Sequence, residues 1–206
     1  MIFRLCAALF ISPLQFALGH ESPEHSIEKL TREIDKAPHA ENLIHRAKAY
    51  QELAKLDKAI ADWSRAIHLE PKQHYYLALA EIQLQKNEPL DALKTLSLAT
   101  PHSLTDDQKA QLHILKARSY QLNNQYELAL KSCYTAFQKK PEGEIEWFLT
   151  KSEIQLQLKL YQDRVKDLKQ GYILYNSIVL KAHWVDALID SSDFQTALSI
   201  INDELV

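Results

Sequence analysis

Residues 40–71 read AENLIHRAKAYQELAKLDKAIADWSRAIHLEP. Ala47 and Tyr50 fall on one face of a first helical stretch, and Ala59, Trp63 and Ala66 fall on one face of a second. Pro71 closes the stretch, because a proline ring cannot continue a helix. Prolines recur at 38, 71, 101 and 141. Alignment on them brings further units into register, with starts near 40, 73, 110, 145 and 178. Small side chains are needed where two helix backbones cross closely. A larger residue at Ala47, Ala59 or Ala66 would overpack the crossing at a cost of about 1–3 kcal/mol.

This pattern resembles a tetratricopeptide repeat, a helix–turn–helix unit of about 34 residues. The second unit carries Leu79, Ala80, Ala92, Leu96 and Ala99 at the family positions, and the third carries Ala117, Tyr120, Ala129, Ala136 and Pro141. Phe148, Ser152, Leu168 and Gly171 hold them in the fourth unit, and Leu188, Phe194, Ala197 and Ile201 in the fifth. The resemblance implies an all-α, right-handed superhelical solenoid of about eleven helices, with a cap helix ahead of the repeat array over residues 40–206. No unit buries its apolar face alone, so stacking supplies the core. Ser152 and Val185 replace the small eighth residue, and Arg164 replaces the alanine at the twentieth. Either that crossing is looser, or the register slips to place Val165 inside.

Residues 20–39 read as a tail and a half-unit cap helix, with Ile27, Leu30 and Ile34 on one face. Ser22 is the expected N-cap, with Pro23 at the first helical position. Thr105 and Gln108 form a capping box that opens the third unit after the longest connection. Residues 1–19, MIFRLCAALFISPLQFALG, run from a positive start through an apolar stretch to a small-residue exit. That is the pattern of a secretory signal peptide cut before His20, and it predicts a periplasmic or secreted protein. Ser12, Pro13 and Gln15 break the apolar run, which is too short to span a membrane. Only Cys133 then remains, flanked by apolar residues at helical spacing, and reads as a buried structural thiol.

Composition excludes several classes of function. The 206 residues include only three glycines, so neither a phosphate-cradling loop nor a dinucleotide fingerprint can be built. A many-stranded fold is disfavoured for the same reason. A net charge of −3 argues against a nucleic-acid binder. No Ser/His/Asp, Cys/His or paired-carboxylate set has a recognisable context, so no enzyme and no cofactor are expected. Nine histidines are scattered along the chain, among them His45 and His113 on first helices. An N-terminal His20 with His25 offers an alternative, copper or zinc handling through amine and imidazole nitrogens.

The resemblance also implies where a partner binds. First helices of successive units line a concave groove, with the second, fifth, ninth, twelfth and thirteenth positions facing it. The fifth position gives Ile44, Leu77, Ile114, Leu149 and Ala182, and the ninth gives Lys48, Glu81, Arg118, Glu153 and Asp186. An apolar stripe beside alternating charges suits a polypeptide ligand. Lys48–Glu81 and Arg118–Glu153 instead satisfy one another if those charges are structural. The Lys and Asn clamp with which one variant of the family grips a chaperone's C-terminal carboxylate is absent at Ile44 and Lys48. The sequence thus predicts a non-enzymatic adaptor that binds a protein or peptide.

Overall fold

The computed structural model describes residues 22–202; the expected leader and His20 lie outside them. Among the described residues there are eleven α-helices and no strand. Helix α1 (Pro23–Lys36) precedes five pairs. These are α2 (Ala40–Glu52) with α3 (Leu56–Leu69), α4 (Gln73–Gln85) with α5 (Pro89–Leu98), and α6 (Asp106–Leu122) with α7 (Tyr126–Lys139). Then come α8 (Ile145–Gln157) with α9 (Tyr161–Tyr175), and α10 (Ile178–Asp190) with α11 (Phe194–Asn202). Each helix packs on its sequence neighbours, and α4, α6, α8 and α10 also pack in succession on one another. No described helix is long and apolar enough to cross a membrane.

Two helix starts follow the local chemistry of their caps. The Ser22 hydroxyl accepts from the His25 N–H at 3.3 Å, with Pro23 beginning α1. At α6 the Gln108 N–H donates to Thr105 Oγ1 at 3.2 Å, and the Thr105 N–H donates to Gln108 Oε1 at 3.0 Å. Both arms satisfy backbone donors that the first helical turn leaves open.

The five pairs share one turn. Ala54, Asn87, Asn124, Lys159 and Ser192 all have left-handed backbone, with φ from 53° to 66°. In every case the next residue's N–H donates to the carbonyl five residues back at 2.8 Å, as Lys55 does to Tyr50 and Asp193 to Leu188. This is the bond that ends a helix on a left-handed residue. Asparagine tolerates that conformation, whereas Ala54, Lys159 and Ser192 adopt it at a cost of about 1–2 kcal/mol each. The glycine that normally marks such a turn is missing from all five, so the turns carry no glycine signal in the sequence.

The core is a chain of clusters that each straddle successive pairs. Ile34, Leu43, Trp63, Tyr75 and Ile82 join α1 through α4, with the Trp63 and Tyr75 rings edge to face at 5.7 Å. Leu77, Leu96, Leu112 and Leu115 join α4 to α6. Ile114, Cys133, Trp147 and Ile154 join α6 to α8, and Phe148, Leu168, Leu180 and Trp184 join α8 to α10. Burial pushes the Cys133 thiol up to about 12, so it is an inert core residue. In the last pair Leu188 and Ala197 are buried, whereas Phe194 and Ile201 are exposed.

The fourth pair corrects both expectations for Arg164. The crossing is neither loose nor shifted, because Arg164 is buried and Val165 is only half-buried. Arg164 Nε donates to Ser152 Oγ at 2.9 Å, and Arg164 Nη1 pairs with Asp190 at the end of α10. The two departures from the repeat are therefore one arrangement. The small hydroxyl residue accepts the guanidinium that fills the place of an alanine, and the charge is paired, as burial requires.

Candidate functional site

Helices α4, α6 and α8 line a cleft of about 700 Å³. Its floor is apolar, formed by Ile114, Leu115, Trp147 and Leu149. The first three are buried in the core that fixes them, and Leu149 is half-buried. Its rim carries five carboxylates, Glu81, Asp107, Glu144, Glu146 and Glu153, against two cations, Arg118 and Lys140.

The cleft brings together Glu81, Ile114, Arg118, Leu149 and Glu153 from the expected groove set. It does not include Ile44, Lys48 or Leu77. The expected apolar stripe is thus interrupted. Leu77 is 2% exposed and packs with Leu112 and Leu115 of α6, and Ile44 is buried between α2 and its neighbours. Lys48 is exposed elsewhere on α2, and Ala182 lies beside Val185 on α10.

The charges along the groove do not satisfy one another as pairs. Among the described residues neither Lys48–Glu81 nor Arg118–Glu153 comes within ion-pair distance. Glu153 accepts instead from Gln121 Nε2 at 2.7 Å. Glu81 and Arg118 are half-buried, yet neither makes a hydrogen bond or ion pair to a described residue. Two half-buried lysines behave differently: Lys86, away from the cleft, reaches Asp57 and Glu88 at 2.5 and 2.6 Å, and Lys140, on its rim, reaches Glu144 at 3.1 Å.

Several cleft residues were not singled out from the sequence. Glu146 and Gln111 hold the second position of their units, which the repeat already assigns to the groove. Asp107 and Gln108 enter because α6 has 17 residues where α4 and α8 have 13. The long connection and the Thr105 cap start α6 a turn early, and that extra turn carries both side chains to the mouth.

The histidines lie apart from this cleft. His45 is exposed, and His113 is half-buried outside the lining. Burial first, then Lys116 and Lys139, push the His113 imidazole below its usual range, towards the neutral form. His25 sits exposed on the first turn of α1, and its metal partner in the alternative reading, His20, lies outside the described residues. Among the described residues no group of three or more His, Cys, Asp or Glu side chains is placed to hold a metal ion.

No protein-family model matches the sequence, and no curated protein matches it significantly. Solved structures do match. The chain is similar to MamA, residues 41 to the end, from Desulfovibrio magneticus RS-1, at 18% identity and a TM-score of 0.67, over 76% of this chain and 88% of that one. It is similar to PilW, a type IV pilus biogenesis factor, at 14% identity and a TM-score of 0.74, over 86% and 82% of the two chains. It is also similar to TTC0263, a thermophilic tetratricopeptide-repeat protein of Thermus thermophilus, at 16% identity and a TM-score of 0.61, over 81% and 91%. At these identities the likeness shows the fold. The chain has the all-α solenoid fold of tetratricopeptide-repeat structures.

Proposed function

We propose that the chain is a non-enzymatic interaction scaffold that holds a polypeptide segment in the cleft between α4, α6 and α8. The observation that carries this reading is the cleft itself. It combines an apolar floor, fixed by core residues, with half-buried charges that have no described partner inside the fold. A buried apolar surface supplies affinity, and polar groups at its edge set orientation. The leader-like residues 1–19 support placing this scaffold in an exported compartment, the periplasm or the exterior.

The test is photo-cross-linking in cells from a reactive residue at Gln111, on the cleft, compared with one at Ser64, an exposed residue of α3. A discrete polypeptide adduct from Gln111 alone is the expected result. Equal labelling from Ser64, or none from Gln111, contradicts the reading. Intact mass of the same preparation is expected to show a chain beginning at His20. A chain retaining Met1 contradicts export.

A further inference from the structure

We infer that the segment held in the cleft is extended and net positive, with an apolar side chain between two basic ones. This rests on the cleft reading above and names the chemistry of its occupant. Three observations support it.

The first is sign. The rim carries carboxylates in excess over cations, and one of the two cations, Lys140, is already engaged by Glu144. Arg118 is then the single rim cation set among Glu81, Glu146 and Glu153. A cleft lined mainly by one sign of charge, with low-dielectric walls, concentrates ligands of the opposite sign.

The second is the contrast in pairing. Buried charges elsewhere in the fold close on carboxylates: Arg46 with Asp62 at 2.7 Å, and Lys151 with Asp167 at 2.8 Å. Glu81 does not pair, although α6, which carries Arg118, packs on α4. An unpaired, partly desolvated carboxylate is better served by an incoming cation than by bulk water.

The third is length. Two helix-to-helix steps of about 8–10 Å separate α4 from α8. At about 3.3 Å per residue, some six extended residues cross that span. Alternate side chains of such a segment point the same way. A basic residue, an apolar one and a second basic one at every other position therefore meet Glu81 on α4, Ile114 and Leu115 on α6, and Glu146 with Glu153 on α8.

The probes are two labelled dodecapeptides. One is built from Lys-Ser-Leu-Ser-Lys-Ser blocks and the other from Glu-Ser-Leu-Ser-Glu-Ser blocks. Fluorescence polarisation with the purified protein is expected to show the basic probe binding at least about tenfold tighter, with affinity falling as salt rises. Joint replacement Glu81→Gln, Glu146→Gln and Glu153→Gln is expected to remove that preference and flatten the salt dependence. Arg118→Glu is expected to tighten the basic probe, a gain that misfolding cannot imitate. Equal or better binding of the acidic probe, or a weaker basic probe in Arg118→Glu, overturns the inference. If Gln111 cross-links a polypeptide while the probes show no preference, the charge rule fails and the scaffold reading stands. If Gln111 cross-links nothing, both fail.

Discussion

Arg46→Ala is expected to destabilise the first helix pair by about 3–5 kcal/mol, because it leaves a buried carboxylate unpaired. Arg46 Nε and Nη2 both donate to the Asp62 carboxylate at 2.7 Å, and Nη1 donates to Thr31 Oγ1 at 2.9 Å. Asp62 is 3% exposed. One guanidinium thus ties α1, α2 and α3, and its hydrogen bond to Asp62 raises its own pKa further. The fourth pair uses the same two repeat positions for Lys151 and Asp167, and the second pair fills them with Leu79 and Thr95. The double replacement Arg46→Leu with Asp62→Thr copies that uncharged solution and is expected to recover most of the loss. Urea unfolding followed by circular dichroism measures both. Contacts in a solenoid are between neighbours, so Arg46→Ala is expected to produce an early transition confined to α1–α3. A cost below about 1 kcal/mol for Arg46→Ala would place the pair in the class of screened surface bridges and contradict this account.

Phe148→Ala is the second large effect, at about 3–5 kcal/mol. The ring is buried in the cluster of α8 to α10 and meets Phe137 of α7 edge to face at 4.9 Å. It also explains a glycine. The equivalent second-helix position holds Ala66, Ala99 and Ala136 in the first three units and Gly171 in the fourth. A Cβ on Gly171 would lie 2.9 Å from the Phe148 ring. Gly171→Ala alone is therefore expected to destabilise by about 1–3 kcal/mol, despite alanine's better helix propensity. Combined with Phe148→Leu it is expected to cost less than the sum of the two single changes, since the smaller side chain vacates the space. Thermal unfolding of Phe148→Ala, Gly171→Ala, Phe148→Leu and the double variant decides the matter. A stabilising Gly171→Ala would show that the ring yields freely and would remove this explanation.

Features set by short-range geometry were legible in the sequence. Ala47, Ala59 and Ala66 are small because two backbones cross there, and the crossing repeats, so the residues repeat with it. The caps at Ser22 and Thr105 are local and were equally readable. Three things were hidden. The turns at Ala54, Lys159 and Ser192 place ordinary residues in left-handed backbone, so composition gives no sign of them. Arg164 looked like a defect because its partners, Ser152 and Asp190, lie on two other helices. Leu77 looked like a groove residue because position alone does not show that Leu112 and Leu115 of α6 lie in its cluster. The cleft was half legible. Glu81, Arg118, Glu146 and Glu153 follow the repeat, but its mouth depends on the extra turn of α6 and on the connection that carries Lys140 and Glu144, and its excess of carboxylates appears only when these are brought together.

Methyl NMR during titration with the polypeptide captured from Gln111 tests the central claim most directly. Ile114 and Leu149 report on the cleft, while Leu90 on α5 and Leu198 on α11 report on exposed surface elsewhere. The account predicts that the Ile114 and Leu149 methyl resonances shift with bound fraction while those of Leu90 and Leu198 stay in place. Shifts at Leu198 with Ile114 and Leu149 unmoved would put the partner on the last helix pair and contradict it.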